Sequence, residues 1–94
     1  MRRVHVIVSG EVQGVGYRYT MKIVANQARV VGWVSNRRDG RVEAEFEGED
    51  ARVDEVLAWM AEGPPGSRVT GAQVTDASPR GASAESGFEV LPTA

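Results

Sequence analysis

The feature that most constrains the fold of this 94-residue chain is the spacing of its apolar residues, which changes along the chain between two patterns. Alternating apolar and polar residues predict half-buried strands, and apolar residues spaced three or four apart predict helices buried on one face. The strand patterns run over residues 3–9, 31–37, 41–47, 69–75 and 88–90. The helix patterns lie at roughly 18–29 and 50–62, so the predicted order is β-α-β-β-α-β with a short fifth strand.

This order predicts an α+β fold, a ferredoxin-like α/β sandwich. Short right-handed crossovers place both helices on one face of an antiparallel sheet. The helices cover the valine face, and the open face carries Arg3, His5, Glu43, Glu45 and Glu47. A chain of this length fits one two-layer domain, so we expect a single domain over residues 1–94 that acts alone.

Local signals predict how the elements end. Asp39-Gly40 indicates a type I′ hairpin turn, in which both central residues have positive φ. Asp50 is a good N-cap for the second helix because its carboxylate can accept backbone N–H groups of the first turn. In the fourth predicted strand, the strict alternation of apolar and polar residues breaks before Ala72, which predicts a bulge near Gly71. The small polar residues of 76–86 predict a loop.

Composition removes several functional classes. The chain has no cysteine, which excludes disulfides and thiolate chemistry, and a single histidine, His5, which leaves no histidine-based metal cluster. The formal net charge is −2, so any anion must be held by a local positive site. No apolar run approaches the ~20 residues of a membrane span, and no signal peptide is evident. We expect a soluble cytoplasmic protein with no metal and no cofactor.

Residues 10–18 form a glycine-rich segment between the first strand and the first helix. They read Gly-Glu-Val-Gln-Gly-Val-Gly-Tyr-Arg. Consecutive backbone N–H groups in such a turn can converge as an anion nest, and the helix start adds unpaired N–H groups and the positive end of its macrodipole. Arg18 brings a planar fork of donors that suits phosphate oxygens. The segment therefore predicts a phosphate site.

Two motifs carry a resemblance to a known family. Residues 10–18 lack the third glycine of a dinucleotide fingerprint, and no Gly-Lys-Ser/Thr follows for a P-loop. They match instead the acylphosphatase signature G-x-V-Q-G-V-x-F/Y-R at every fixed position. Residues 32–42 resemble that family's G-x-V-x-N-x-x-D-G-x-V element, and residues 63–66 and 86–90 are similar to its usual sequence. The resemblance covers essentially the whole chain.

The resemblance implies an enzyme without metal or cofactor that hydrolyses the carboxyl–phosphate bond of acyl phosphates. In the family, loop amides and the arginine side chain hold the phosphoryl group. The corresponding residues here are Gln13, Gly14, Val15, Gly16, Tyr17 and Arg18. The family's water-orienting asparagine corresponds to Asn36, which has the parity of Val34 and so faces the helices, towards the loop. Inorganic phosphate is then product and inhibitor, and the enzyme is expected to be a monomer.

Some residues leave questions open at this stage. Arg29 lies where many family members have glycine at the end of the first helix, which puts the local turn geometry in doubt. Arg37 and Arg38 either steer anions towards the site or form a solvated turn pair. The Tyr17 side chain is interpreted as a core anchor beneath the loop and not as a catalytic phenol.

Two other functional classes compete. RNA-recognition domains share this element order, but they stack bases on aromatic residues of the open sheet face. Here the third strand presents Glu43, Glu45 and Glu47 on that face, which repels a phosphate backbone, so we expect no nucleic-acid binding. The second alternative is a small-molecule-sensing or carbamoyl-phosphate-handling module, as when acylphosphatase-like domains are fused to larger enzymes.

Overall fold

The computed structural model of the protein describes residues 1–81 and 87–93, and within them the elements follow the predicted order. The elements are β1 (Arg2–Glu11), α1 (Tyr17–Gln27), β2 (Val31–Asn36), β3 (Val42–Gly48), α2 (Asp50–Glu62), β4 (Arg68–Ala77) and β5 (Phe88–Val90). The five described strands form one sheet in the order β4-β1-β3-β2-β5. The ferredoxin-like α+β prediction is confirmed.

The sheet is mixed, so the prediction of a wholly antiparallel sheet is wrong at β5. Strands β1, β3, β2 and β4 pair antiparallel, whereas β5 pairs parallel to β2. The reason is topological. Strands β2 and β4 run in opposite directions, and the chain reverses once between β4 and β5. The reversed β5 therefore runs the same way as β2 when it reaches the far edge of the sheet.

The core lies between the helices and one face of the sheet, as the alternation predicts. Side chains at alternate positions of β1 and β3 are fully buried, and the predicted apolar faces of α1 and α2 pack against them. The buried members include Val4, Val6, Val8, Val42, Ala44, Phe46, Met21, Ala25, Val53, Val56 and Met60. Ile23, which falls outside the apolar stripe of α1, is 59% exposed.

The opposite face is partly covered and not open throughout. Arg3 and Glu47 are each only 1% exposed, and the Arg3 Nη1 lies 3.3 Å from Glu47 Oε1. The Glu47 carboxylate also accepts the backbone N–H groups of Arg80 (2.7 Å) and Gly81 (2.9 Å). These bonds, from Arg80 foremost, hold the pKa of Glu47 below its usual range. Residues 80–81 therefore lie over this end of the sheet.

The loop predicted over residues 76–86 begins later than expected. Strand β4 continues through Ala77, because Asp76 and Ala77 still pair with Val4 and Arg3 of β1. Residues 82–86 lie outside the described part of the chain. The predicted bulge is confirmed: the register of β1 with β4 shifts between Ser9 and Gly10, which skips the residue next to Gly71.

The β2–β3 hairpin does not use the predicted type I′ turn. Gly40 has a φ of 92°, whereas Asp39 does not have a positive φ. The N–H of Gly40 donates to the Arg37 carbonyl (3.2 Å), and the N–H of Arg37 donates to the Arg41 carbonyl (2.8 Å). This is the pattern of a three-residue loop with glycine at the left-handed position. The Asp39 carboxylate stabilises it by accepting the Arg41 N–H at 3.1 Å, and hydrogen bonding from the Arg41 guanidinium lowers the Asp39 pKa.

The N-cap prediction for α2 is also wrong by one residue. Glu49 occupies the N-cap position without a side-chain capping bond, and Asp50 is the first helical residue. A carboxylate in the first turn still interacts favourably with the positive end of the helix macrodipole. At the other end, Gly63 is the C-cap, so the predicted stop is confirmed.

Arg29 adopts the conformation that glycine usually supplies at a helix end. Its φ is 58°, and it is the only non-glycine residue among those described with a positive φ. The Val30 N–H donates to the Ala25 carbonyl (3.1 Å) and the Arg29 N–H to the Asn26 carbonyl (3.2 Å). These two bonds form a Schellman motif. The turn geometry is therefore retained, and the arginine adds backbone strain to it.

We expect Arg29→Gly to stabilise the protein. Removing a left-handed L-residue relieves about 1–2 kcal/mol, and the freer unfolded chain of glycine costs about 0.4–1 kcal/mol, so the midpoints of the two ranges give a net gain of about 0.8 kcal/mol. Urea unfolding measures the difference. Lys22→Gly is the control, because Lys22 lies exposed within α1, where glycine should destabilise by about 1 kcal/mol. Destabilisation by both changes would contradict the assigned strain.

Candidate active site

The loop between β1 and α1 takes its shape from two glycines. Gly14 and Gly16 have φ values of 74° and 76°, a region that other residues enter only with strain. A Cβ at either position would meet no atom within 4 Å, so the backbone angle and not space requires glycine. Gly16 is the N-cap of α1, and no side chain of the described residues caps the helix there.

This conformation leaves a run of backbone donors available. The backbone N–H groups of residues 13–18 donate no hydrogen bond to any acceptor within residues 1–81 and 87–93. The N–H groups of Tyr17 and Arg18 also belong to the first turn of α1, where the helix macrodipole is positive. The loop can therefore offer several N–H groups to one anion.

Arg18 is held at the edge of this loop by the segment that follows β5. Its Nη1 donates to the Leu91 carbonyl at 3.0 Å. The segment is fixed to β2, because the Leu91 N–H donates to the Val34 carbonyl (2.8 Å) and the Ser35 Oγ to the Pro92 carbonyl (3.0 Å). One nitrogen of the guanidinium is thus used for orientation, and its remaining donors can serve a ligand.

Asn36 lines the same pocket as the loop. It is the last residue of β2 and pairs with Val42 of β3. A pocket of about 200 Å³ lies between these parts. Its lining comprises Val12, Gly14, Gly16, Tyr17, Arg18, Tyr19 and Asn36. Drug-sized ligands use pockets of roughly 300–1,000 Å³, so this one suits a small ligand.

The structure brings most of the predicted site residues together. Gly14, Gly16, Tyr17, Arg18 and Asn36 line one pocket. The two other predicted members, at positions 13 and 15, are not among its lining residues, although their backbone N–H groups belong to the same free run.

Tyr17 anchors the loop to the core, as predicted from the sequence. It is 2% exposed, and its hydroxyl donates to the Met60 carbonyl of α2 at 2.8 Å. Its ring centroid lies 5.0 Å from that of Trp59. Burial raises the pKa of the Tyr17 phenol, which makes the side chain unsuited to proton transfer near neutral pH.

A second, more open pocket of about 370 Å³ lies beside the β2–β3 hairpin and is lined by Arg37, Arg38, Asp39 and Glu43. The guanidinium of Arg37 contacts both carboxylates: its Nε lies 3.0 Å from Asp39 and its Nη1 3.4 Å from Glu43. Its charge is therefore balanced within the protein. Arg37 is therefore less available to an anion than Arg18, whose guanidinium contacts a neutral carbonyl.

Sequence reasoning missed three contributions to the site. Tyr19 is 70% exposed and lines the pocket beside Arg18. The Leu91 carbonyl holds the Arg18 side chain, and the Gln13 carboxamide contacts the hairpin that follows Asn36. Of the three, only Tyr19 could have been found from the sequence, because it is an aromatic residue on the polar side of α1. The other two contacts join residues far apart in sequence.

The remaining chemistry-bearing residues are dispersed. In the part of the chain that the structure describes, no group of three or more histidine, aspartate or glutamate side chains is arranged to hold a metal ion. Among the same residues, neither helix has the length and apolar character needed to cross a lipid bilayer.

The fold and the pocket define a small two-layer α+β protein with free backbone donors at a helix N-terminus. The acylphosphatase family model matches residues 4–90. An acylphosphatase of Rubrobacter xylanophilus is 49% identical over 89 residues, covering 95% of this chain and 79% of that protein. One from Synechococcus is 47% identical over 91 residues and covers 97% and 94%. The crystal structure of acylphosphatase from Bacillus subtilis superposes with a TM-score of 0.89 at 36% identity, covering 97% and 99%. The chain belongs to the acylphosphatase family.

Proposed function

We propose that this member of the acylphosphatase family hydrolyses acyl phosphates in the pocket between residues 13–18 and Asn36. The observation that carries the proposal is the run of free N–H groups at residues 13–18, four of whose residues, Gly14, Gly16, Tyr17 and Arg18, line one pocket with Asn36. The N–H groups and Arg18 provide the donors that a phosphoryl group requires. The Asn36 carboxamide provides a neutral polar group beside the phosphoryl site.

The loop and Arg18 bind the phosphoryl group. The backbone N–H groups hold its peripheral oxygens, and the planar guanidinium contributes charge-assisted hydrogen bonds. The transition state of phosphoryl transfer is loose and spreads charge over these same oxygens, so fixed donors aimed at them lower the barrier. Because the donors are held by Tyr17 below and by Leu91 beside the arginine, little reorganisation accompanies the reaction.

Asn36 orients the attacking water. A carboxamide is too weak a base to remove a proton, but it can donate to or accept from water and hold the water oxygen in line with the phosphorus. The water oxygen forms a bond to phosphorus while the bond from phosphorus to the acyl oxygen breaks. The carboxylate leaves with the electron pair of that bond, and a phosphate oxygen takes the proton of the water.

The leaving group explains why so few side chains suffice. A carboxylate leaves without prior protonation, so the site needs no general acid. An alkoxide leaving group does need one, and among the described residues the pocket lining contains no histidine or carboxylic acid to supply it. The pocket therefore favours acyl phosphates over simple phosphomonoesters, and inorganic phosphate, which shares the phosphoryl group, should inhibit competitively.

The proposal includes a cytoplasmic monomer in which residues 1–94 form one domain. The absence of cysteine agrees with a reducing compartment. In the described part of the chain the exposed large apolar side chains are Met1, Tyr19, Ile23 and Val74, which is too small a set for an obligate interface. On β3, Glu43 and Glu45 contact His5 and Arg3, so the Arg3 guanidinium is engaged by a carboxylate and is less available to a phosphate backbone.

Hydrolysis of benzoyl phosphate tests the function. We expect turnover that EDTA does not change, competitive inhibition by inorganic phosphate, and activity on phenyl phosphate lower by at least ~100-fold because phenoxide is the poorer leaving group. Size-exclusion chromatography of the same sample gives the oligomeric state. Rapid hydrolysis of phenyl phosphate, or loss of benzoyl phosphate turnover in EDTA, would contradict the mechanism.

A further inference from the structure

The side chain of Gln13 joins the proposed phosphate loop to the hairpin that carries Asn36. Its Nε2 donates to the Arg37 carbonyl at 2.7 Å and to the Arg41 carbonyl at 3.0 Å. These acceptors lie 24 and 28 residues away in sequence. Both protons of the carboxamide nitrogen are therefore used in contacts with the hairpin.

The two acceptors lie at the base of the hairpin loop. The Arg41 carbonyl also accepts the Arg37 N–H at 2.8 Å, and that bond closes the loop. Arg37 directly follows Asn36 in the chain, so one of the two carbonyls that Gln13 contacts belongs to the residue next to Asn36. Movement of this base relative to residues 13–18 would change the separation of Asn36 from the bound phosphoryl group.

We propose that the Gln13 side chain is a positioning residue that sets the distance and orientation of Asn36 relative to the phosphate loop. The proposal rests on the proposed function of those two parts. Gln13 then contributes twice: its backbone N–H belongs to the run of donors for the anion, and its side chain fixes the group that orients water. Binding and turnover therefore depend on different atoms of one residue.

The chemistry of the contact is specific to glutamine. Two backbone carbonyls require two N–H donors, and the carboxamide provides both from one nitrogen. An ionised glutamate has acceptors only and would face two carbonyls without a donor. Asparagine is one methylene shorter and cannot reach the same carbonyls from the same backbone position. Methionine matches glutamine in length but donates nothing.

Gln13→Met tests the proposal because it keeps the backbone N–H and removes the bridge. We expect kcat for benzoyl phosphate to fall ~10- to 100-fold, the scale of a group misplaced by about 1 Å. The inhibition constant of inorganic phosphate should stay within about threefold of the wild-type value, since the backbone donors remain. Gln27→Met is the matched control: Gln27 is an exposed glutamine at the far end of α1, and its replacement should change neither quantity.

A double-mutant cycle separates positioning from a general loss of structure. Once Asn36 is alanine, no carboxamide remains to be positioned, so adding Gln13→Met should lower kcat by less than about twofold. If Gln13→Met does not fold, Gln13→Asn provides the same comparison with a milder change. An equal loss in both backgrounds, or parallel loss of turnover and phosphate affinity, overturns the proposal. Absence of benzoyl phosphate hydrolysis by the wild-type protein would refute the proposed function instead.

Discussion

Arg18→Ala is expected to lower kcat/KM for benzoyl phosphate by at least ~100-fold, on the scale measured for the loss of one preorganised oxyanion donor. The guanidinium is the only cationic side chain lining the pocket among the described residues. It is oriented by the Leu91 carbonyl before any ligand binds, so its loss removes both charge and preorganised geometry. The inhibition constant of inorganic phosphate should rise as well, because the same group binds product.

Two further variants distinguish this role from a structural one. Arg18→Lys keeps the charge but not the planar fork, and we expect activity between those of the wild type and the alanine variant. Arg52→Ala is the matched control, since Arg52 lies in α2 and does not line the pocket. Circular dichroism shows whether each variant is folded. Near-wild-type turnover by folded Arg18→Ala would exclude Arg18 from the mechanism.

The fold could be predicted from the sequence where a local pattern determines it. Alternation placed β1 and β3 and their buried faces, and helical spacing placed both helices. The direction of β5 could not be predicted, because it depends on which strand lies at the far edge of the sheet. The burial of Glu47 depends on Arg80, 33 residues further along the chain. Asp39 shows a local failure: its own carboxylate stabilises a turn with one positive φ where two were predicted.

The candidate site also has parts that could be predicted from local sequence and parts that could not. The glycine-rich loop is a local feature, so residues 13–18 could be predicted together from one stretch of sequence. Strand parity was enough to place Asn36 on the helix side of β2. The contacts that hold these parts in place join distant residues, as with Arg18 and Leu91, 73 positions apart. A single sequence carries no periodic signal for such contacts.

Asn36→Ala is expected to lower kcat for benzoyl phosphate by at least ~100-fold, while the inhibition constant of inorganic phosphate changes much less than in Arg18→Ala. The physical reason is that the carboxamide is neutral and is assigned to the attacking water. The donors assigned to the phosphoryl group are the backbone N–H groups of the loop and the Arg18 side chain. Removing the carboxamide therefore leaves the anion site intact and the water without orientation.

The contrast between the two alanine variants is the sharpest test of this division of roles. Asn26→Ala serves as the control, because Asn26 is an exposed asparagine on α1 that does not line the pocket. Phosphate inhibition and single-turnover rates measured on both active-site variants separate binding from chemistry. If Asn36→Ala weakens phosphate binding as much as Arg18→Ala does, the carboxamide binds the phosphoryl group directly. Since the Gln13 side chain is proposed to act only through Asn36, that result would also remove the basis for its positioning role.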